Sequence, residues 1–393
     1  MHLNVRLPLI QENRGNTIMT KLESLLHAST GLSLISGYLM YNRRYLLSFD
    51  KKREGETTQS ISVIIPARNE EKRLPKLLKS LSQQSMRVEC IVMDDDSNDR
   101  TAEIAREMGA KVYNVTYDNN GNTWIGKSYA CYLGASYTVS DILIFMDADV
   151  ELNNEHALEA IIQSYARQQY RGLMSIQPYH VVYKPYEHLS AMFNLMTVVG
   201  TNSFSTLSKS KGESLAFGPV TVMNKSDYIL TQGHKNAASH IIEGFSLGKA
   251  FQRCQLPVTR FEGQGFVSFR MYEAGFKTMI EGWTKHLAVG ASSTQPHIMM
   301  LIILWMVGCI TSFSGLALSL FMKTLSFKRM ALSYSLYTLQ FIRLHRRVGR
   351  FSILFLAINS ILFLVFILVY INSYRHIHYT KQVKWKGRQF SIK

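Results

Sequence analysis

Residues 61–71 read ISVIIPARNEE, a run of β-forming apolar residues that ends in a proline, a cation and acidic side chains. Helix and strand patterns then alternate along the chain. The predicted elements that follow are a helix over 70–83, a strand over 90–93, a helix over 99–108, a strand over 110–115, a helix over 126–137 and a strand over 142–146. This alternation predicts an α/β fold whose mostly parallel sheet is covered by helices on both faces.

Polar side chains follow three of the predicted strands. The strand ends carry PARNE at 66–70, DDDSND at 94–99 and DAD at 147–149. Ligands of open parallel sheets bind at the carboxyl ends of the strands. Because crowded carboxylates repel one another, we expect a positive or hydrogen-bond-donating ligand there. Carboxylate oxygens suit Mg²⁺ or Mn²⁺, which usually bind through one or two protein carboxylates together with substrate phosphates.

The charge of the chain is unevenly distributed. Its 393 residues include 44 Lys and Arg against 28 Asp and Glu, a formal charge of +16, and no acidic residue follows Glu281. The C-terminal cations separate long apolar runs, which indicates a membrane and its phosphates rather than a nucleic acid. The four cysteines form no CxxC pair, so the sequence suggests neither a zinc site nor a disulfide scaffold.

Two uncharged runs, 298–322 and 351–374, are long enough to cross a bilayer. A shorter run at 330–342 predicts either an interfacial helix or a tilted third span, and a weaker run at 24–41 predicts an uncleaved N-terminal anchor. The predicted organisation is an N-terminal segment (1–57), a cytoplasmic catalytic domain (58–290) and a C-terminal membrane region with a basic tail (291–393).

The positive-inside rule does not fix the number of spans. If 330–342 does not span, the basic tail returns to the cytoplasm, but four arginines face outside: Arg343, Arg346, Arg347 and Arg350. If 330–342 does span, these arginines lie inside and the basic tail lies outside. The first alternative, with the run lying on or re-entering the cytoplasmic surface, is slightly preferred.

Five stretches, ISVIIPARNEE, DDDSND, GKSYA, DAD and IIEGF, resemble the family 2 inverting glycosyltransferases, whose nucleotide-sugar domain has the A-type fold. The resemblance covers about residues 60–290. Longer stretches such as FNLMTVVG, AFGPVTVMNK and FIRLHRRVG resemble a narrower group within that family, which puts glucose on a carotenoid carboxylic acid during bacterial pigment synthesis. The resemblance implies UDP-glucose, a membrane-dissolved carotenoid acid and the lipid bilayer as partners, with other enzymes of pigment synthesis as further candidates.

The resemblance also implies roles for single residues. Asp95 would bond the uracil N3–H, Pro66, Arg68 and Glu70 would line the nucleoside pocket, and Lys127 would lie near the base or the diphosphate. Asp149 would bind the Mn²⁺ or Mg²⁺ that bridges the diphosphate, and Asp147 would face the ribose or that metal. Further candidates to neutralise the leaving diphosphate are Arg270, Lys285 and His286, and candidates for a third metal ligand are His234 and His240.

One motif departs from the family. Members usually carry Glu-Asp where this chain has Glu243 and Gly244, and the Asp is the expected general base. Either Glu243 replaces that base, or no strong base is needed. A carboxylic acid acceptor titrates at about 4 to 5 and is already a nucleophile at neutral pH, which favours the second alternative.

Other interpretations stay open. The uncharged stretch 189–207 suits either the domain core or an interfacial segment that meets a hydrocarbon chain. The acceptor could instead be a polyprenyl phosphate, a glycerolipid or a sphingoid lipid. A processive synthase is disfavoured because the sequence contains no QxxRW. A catalytically inactive membrane module that binds nucleotide sugars is favoured by the missing Asp and disfavoured by Asp95, Asp147 and Asp149.

Overall fold

A computed structural model of the chain describes residues 8–117, 124, 126–208, 215–238, 243–376, 382–385 and 388–391. The strands are β1 (Ile61–Ala67), β2 (Glu89–Asp94), β3 (Lys111–Asn114), β4 (Ile142–Met146), β5 (Val150–Leu152), β6 (Leu173–Gln177), β7 (Tyr179–His180), β8 (Val220–Asn224), β9 (Val258–Glu262), β10 (Val267–Phe269), β11 (Gln382–Trp385) and β12 (Arg388–Ser391). The helices are α1 (Pro8–Met40), α2 (Leu74–Ser82), α3 (Thr101–Glu107), α4 (Lys127–Ser136), α5 (Ala157–Ala166), α6 (Ala191–Gly200), α7 (Lys225–Leu230), α8 (Glu243–Arg253), α9 (Phe276–Ser293), α10 (Pro296–Phe321), α11 (Phe327–Val348), α12 (Ile353–Ala357) and α13 (Asn359–Arg375).

The catalytic domain is built on a seven-stranded sheet in the order β3-β2-β1-β4-β8-β6-β9. β1 pairs in parallel with β2 and β4, whereas β8 runs antiparallel to β4 and β6. Along β1, Val63 and Ile65 pack with α2 and α5 on one face, and Ile64 packs with α4 and α8 on the other. The prediction of a mostly parallel sheet with helices on both faces is therefore confirmed, with β8 as an antiparallel strand that the sequence pattern did not reveal.

A second, three-stranded sheet in the order β5-β10-β7 lies beside the end of β4. β10 pairs with β5 and β7, and the register places Phe269 opposite both Val150 and His180. This small sheet therefore positions the residues just before β5 and just after β10 beside each other. They are Asp149 and Arg270, whose backbones meet where the N–H of Arg270 approaches the carbonyl of Asp149 at 3.4 Å.

Three long helices, α1, α10 and α11, pack in an antiparallel arrangement. Ser33 of α1 donates a hydrogen bond to the carbonyl of Leu304 at 2.6 Å, and a Cβ at Gly308 would lie only 2.3 Å from the Cβ of Ser33, so the glycine permits this close approach. Between α10 and α11, Trp305 donates to Gln340 at 3.1 Å. The end of α1, the start of α10 and the end of α11 therefore all lie at the catalytic domain.

The predicted span at 298–322 is confirmed as a helix long and apolar enough to cross a membrane, and α10 is the one helix of the described residues that meets both conditions. The run at 330–342 lies within the 22-residue helix α11. The anchor predicted at 24–41 belongs to the 33-residue helix α1.

The run predicted to span at 351–374 is not one unbroken helix, because the chain leaves helical geometry at Ile358 and divides the run into α12 and α13; its crossing of a membrane stays a prediction. At the break, Tyr334 donates a hydrogen bond to the carbonyl of Ala357 at 3.0 Å, and the buried Asn359 donates to Thr338 at 2.9 Å. The tyrosine thus satisfies a backbone carbonyl that a continuous helix would bond internally, and the threonine satisfies a buried side-chain amide. The 17 residues of α13 extend about 25 Å, slightly less than the hydrocarbon layer of about 30 Å.

The stretch 189–207 belongs to the core. Helix α6 packs between the catalytic domain and the long helices, where Phe193 stacks on Trp283 at 5.0 Å and meets Phe366 at 5.3 Å. The sequence left open whether this stretch is core or an interfacial segment, and the structure supports the core interpretation.

A buried carboxylate attaches the long helices to the catalytic domain. Glu262 of β9 accepts hydrogen bonds from the Tyr41 hydroxyl at 2.6 Å and from the Arg347 guanidinium at 2.8 Å, with Arg44 at 3.4 Å. Arg347 also donates to the carbonyls of Tyr41 and Arg43, each at 2.7 Å, and lies over the Tyr41 ring at 3.6 Å. Ends of α1 and α11 are thus joined to one strand of the central sheet.

We expect Arg347→Gln to destabilise the protein by about 3 kcal/mol, because it leaves the buried Glu262 without its strongest charge partner. Thermal unfolding of the detergent-purified protein measures this loss. Arg346→Gln is the matched control, since Arg346 is exposed and next in sequence. Equal melting temperatures for the two variants would contradict this account of the attachment.

Candidate functional site

The ends of β1 and β2 form one wall of a cleft, as the sequence predicts. Asn69 and Asp96 both adopt left-handed backbone conformations, with φ of 53° and 58°, which Asn and Asp tolerate better than most residues. The two turns hold each other: the N–H of Asn69 donates to Ser97 at 3.0 Å, and the N–H of Asn98 donates to the Asn69 side chain at 2.8 Å. Local turn chemistry therefore fixes the acidic loop against the end of β1.

Asp95 is buried in this wall. Its carboxylate accepts a short hydrogen bond from the Tyr117 hydroxyl, and its carbonyl accepts one from Arg68 at 2.5 Å. The Tyr117 hydroxyl in turn accepts the N–H of Gly126 at 3.1 Å, which joins the acidic loop to the start of α4. Sequence reasoning missed Tyr117, because a tyrosine just after a strand looks like an ordinary packing residue.

The other residues predicted for the nucleoside pocket lie close by. Pro66 is half-buried near the end of β1. The N–H of Glu70 donates to Thr101 at 2.8 Å, and its carboxylate meets Arg73 at 3.4 Å. Asp99 accepts the N–H of Thr101 at 3.0 Å near the start of α3, so this member of the acidic loop has a structural role. Arg68 is thus joined directly to Asp95, and Pro66 and Glu70 lie at the same end of β1; their roles in a nucleoside pocket stay predictions.

Lys127 connects the end of β4 to the start of α8. Its ammonium lies 2.7 Å from the carboxylate of Asp147, forms a short ion pair with Glu243 and donates to the carbonyl of Gly218 at 3.1 Å. We call Lys127, Asp147 and Glu243 the cleft triad. Gly126, with φ of 77°, adopts the left-handed conformation that precedes α4 and places Lys127 in its first turn. The sequence predicted each residue singly but not that the lysine joins the two carboxylates.

Burial and neighbouring charges shift the pKa values of the cleft triad in opposite directions. Burial raises the pKa of Asp147 to about 7, with Lys127 lowering that pKa and the nearby Asp149 and Glu243 charges raising it. Burial also works against ionisation of Glu243, but the Lys127 ammonium outweighs it and holds the pKa of Glu243 at about 2. For Lys127, burial lowers the pKa, and the two carboxylates together raise it well above its usual value. Three acidic side chains therefore share this end of the cleft with one ammonium.

The DAD turn fits a divalent cation with a small set of protein ligands. Asp149 lies close enough to Asp147 and Tyr272 to raise the pKa of both groups, although burial is the larger cause in each case. No group of three His, Cys, Asp or Glu side chains among the described residues could by itself hold a metal ion. Two neighbouring carboxylates suit Mg²⁺ or Mn²⁺, which take most of their other ligands from phosphates and water.

The Gly244 that replaces the family's usual Asp has a steric reason in this chain. A Cβ at this position would lie 2.3 Å from the carbonyl oxygen of Ala216 and 3.1 Å from the nitrogen of Gly218. Both contacts are with backbone atoms, which cannot rotate away. The first turn of α8 is therefore packed against residues 216–218 in a way that leaves no room for a side chain.

The remaining candidates have varied surroundings. The guanidinium of Arg270 is held by Glu187 at 2.7 Å and by Glu273, so its assignment to the diphosphate stays a prediction. His234 is buried behind the cleft triad, where its Nδ1 lies 3.2 Å from the Tyr228 hydroxyl; burial lowers its pKa to about 3. Lys285 and His286 belong to α9, but their side chains lie outside the described residues, as does the whole of His240.

The chain is similar in sequence to known glycosyltransferases. The sequence profile described as Glycosyl transferase family 2 matches residues 62–217. A 4,4'-diaponeurosporenoate glycosyltransferase from Staphylococcus aureus (strain USA300) is 48% identical over 374 residues, which covers 95% of this chain and 99% of that protein. The same figures hold for the protein of that name from strain MRSA252.

Solved structures resemble the fold more distantly. Glucosyl-3-phosphoglycerate synthase from Mycobacterium tuberculosis in complex with UDP has a TM-score of 0.42 and 16% identity over 64% of this chain and 87% of that one. A mannosyltransferase from Pyrobaculum calidifontis in complex with GDP-Man and Mn²⁺ has a TM-score of 0.45 and 12% identity over 88% of this chain and 98% of that one. Neither similarity is close enough to bear on the site.

We expect Gly244→Asp to destabilise the protein by about 1–3 kcal/mol without increasing its activity, because the added side chain must displace the backbone of 216–218. Thermal unfolding and transfer assays measure the two effects. Gly290→Ala is the control: it is also a helical glycine, but no atom lies within 4 Å of the place that a Cβ would take there. A Gly244→Asp variant that is as stable as the wild type and more active would contradict the steric explanation.

Proposed function

Because the chain belongs to glycosyl transferase family 2 and is a glycosyltransferase, we propose that it transfers glucose from UDP-glucose to the carboxylate of an apolar carotenoid acid. The observation that carries this proposal is the edge of the sheet at the carboxyl ends of β1, β2 and β4, where the cleft triad and Asp149 lie with the buried Asp95. The name of the Staphylococcus aureus relatives supports 4,4'-diaponeurosporenoate as the acceptor.

The donor occupies the cleft along the ends of β1, β2 and β4 in this proposal. Asp95, oriented by Tyr117, accepts the uracil N3–H, and Pro66, Arg68 and Glu70 line the nucleoside pocket. Lys127 adds positive charge close to the diphosphate, while its contacts with Asp147 and Glu243 keep its ammonium in place. An ammonium fixed before the reaction stabilises developing negative charge without reorganisation during it.

Asp149 and Asp147 would hold Mn²⁺ or Mg²⁺. Such an ion supplies positive charge to the leaving diphosphate. Asp147 also pairs with Lys127, whose ammonium offsets part of the negative charge of these two carboxylates.

The transfer itself is a displacement at the anomeric carbon. An oxygen of the acceptor carboxylate forms a bond to C1 of glucose, the bond from C1 to the diphosphate oxygen breaks, and UDP leaves with the electron pair, so the configuration at C1 inverts. No proton has to be removed from the acceptor at neutral pH. The absence of a side chain at Gly244 agrees with this chemistry, and Glu243 is engaged by Lys127.

We also propose that the protein lies in a bacterial cell membrane as a multi-pass protein with its catalytic domain in the cytoplasm. The charge distribution of the antiparallel helices supports this orientation. The cations at the catalytic end are Arg43, Arg44, Arg346, Arg347 and Arg350, and those at the opposite end of α10 and α11 are Lys323, Lys328 and Arg329. Because α11 returns to the catalytic domain, the arrangement favours a spanning α10–α11 hairpin over the surface position preferred from sequence.

We expect Asp149→Asn to reduce formation of the glucosyl ester by about 10³-fold, because loss of one carboxylate removes most of the cation's charge stabilisation. Mass spectrometry of pigments from cells that express each variant measures the product. Asp141→Asn is the control, since Asp141 binds Ser60 near the start of β4, away from the cleft. A product level unchanged by Asp149→Asn would refute the proposed metal site.

We expect Glu243→Gln to lower kcat with a carboxylate acceptor by about tenfold or less, because the residue holds Lys127 and does not remove a proton. A general base typically contributes 10²–10⁴-fold. Steady-state kinetics with the purified enzyme therefore separate the two roles. A fall of three orders of magnitude, with UDP binding intact, would make Glu243 the base and exclude base-free transfer.

A further inference from the structure

A second charged cluster lies beside Asp149, outside the nucleotide cleft. It consists of Arg270, Glu187, Glu273 and Lys76, and we call it the Arg270 cluster. The Arg270 guanidinium binds Glu187 through two nitrogens, at 2.7 and 3.4 Å, and Glu273 through a third. Lys76 of α2 approaches the same Glu273 carboxylate at 2.7 Å.

The two carboxylates of the Arg270 cluster differ in how firmly they are held. The Glu187 side chain is almost fully buried and also accepts the N–H groups of Tyr183 at 2.7 Å and Lys184 at 3.2 Å, so four donors fix it. Glu273 belongs to the loop between β10 and α9, is 19% exposed and is bound by two side chains. Glu273 can therefore leave Arg270 and remain on Lys76, whereas Glu187 cannot leave.

The position of the Arg270 cluster suits an acceptor. The N–H of Arg270 approaches the carbonyl of Asp149, so the guanidinium begins one backbone contact away from the DAD turn. Glu187 lies in a 3-10 helix, Pro185–Ser190, which also contacts the membrane region: His188 stacks on Phe355 of α12 at 4.4 Å. The cluster is thus placed between the catalytic turn and the apolar helices.

An exposed aromatic ring borders Arg270. The Arg270 guanidinium lies 4.8 Å from the ring of Tyr183, which is 70% exposed. An anionic head group that reaches Arg270 would therefore place the start of its hydrocarbon chain beside this ring.

We propose that Arg270 binds the carboxylate of the apolar acceptor, which takes the place of Glu273 on the guanidinium. The inference rests on the proposed function, because it requires an acceptor that is an acid. Exchange of one carboxylate for another keeps Arg270 neutralised and uses the paired geometry in which guanidinium and carboxylate fit each other. A neutral alcohol cannot repay the loss of the Glu273 ion pair, so Glu273 excludes alcohols of similar shape.

This assignment predicts opposite effects for two variants in kinetics with UDP-glucose and 4,4'-diaponeurosporenoate. Arg270→Gln raises KM for the acid at least tenfold and leaves KM for UDP-glucose within twofold of the wild type. Glu273→Gln lowers KM for the acid two- to fivefold, because it removes a competitor for Arg270. Arg53→Gln, which affects an exposed pair with Glu56, is the control and changes neither constant.

A rise in KM for UDP-glucose with Arg270→Gln would assign the residue to the diphosphate and overturn the proposal, as would a rise in KM for the acid with Glu273→Gln. A binding measurement keeps the test independent of the proposed function. Retinoic acid and retinol serve as probes, and quenching of tryptophan fluorescence reports their binding. We expect Arg270→Gln to weaken binding of the acid at least tenfold and binding of the alcohol less than twofold.

If the wild type forms no ester from the carotenoid acid but binds retinoic acid through Arg270, the proposed function fails and the carboxylate subsite stands. If wild type and Arg270→Gln bind retinoic acid equally, the subsite is refuted whatever the enzyme's product.

Discussion

The ion pairs of Lys127 bring together parts of the chain that are far apart in sequence. Lys127 and Glu243 are 116 residues apart, and they meet at the end of the buried strand β4 that leads to Asp147. Without the ammonium, the carboxylates of this region would repel one another in a partly buried cleft, where charges interact more strongly than in water. With the Lys127 ammonium present, the cleft keeps a smaller net negative charge, which a dication can neutralise. The same residue thus allows the fold to tolerate the acidic cleft and keeps that cleft able to take a metal with its phosphates.

Much of the catalytic domain could be predicted from the sequence, because strand periodicity and polar strand ends are local signals. The strand predicted over 61–66, which extends to Ala67 in the structure, the turns after it and the DAD motif all lie at one edge of the sheet, as expected. The contacts between distant elements could not be predicted. Nothing in the sequence pattern shows that Tyr117 bonds Asp95, that Lys127 bridges Asp147 and Glu243, or that β8 inserts antiparallel between β4 and β6.

The C-terminal helices illustrate a different limit of sequence reasoning. Uncharged length predicted one span at 351–374, but length does not reveal where a polar side chain finds a partner. Asn359 and the carbonyl of Ala357 find theirs on α11, and the helix breaks there. Conversely, the apolar run at 330–342 left open whether this segment spans, and it covers only part of α11, which packs against α1 and α10 and is 22 residues long. Packing between helices, rather than composition, determines both outcomes.

The Gly244 substitution and the Arg270 cluster follow from one chemical requirement. An acceptor hydroxyl must lose a proton, so an enzyme for alcohols needs a base beside the anomeric carbon. An acceptor carboxylate needs no base but must be drawn, as an anion, toward a cleft that already contains several carboxylates. A site for acids therefore gains more from a cation on the acceptor side than from another carboxylate near α8. In this chain the position next to Glu243 is closed by the backbone of 216–218, and the backbone of Arg270, whose guanidinium is held by Glu187 and Glu273, contacts the backbone of Asp149. Under the proposed function, the closed position beside Glu243 and the cation at Arg270 thus both suit an acidic acceptor.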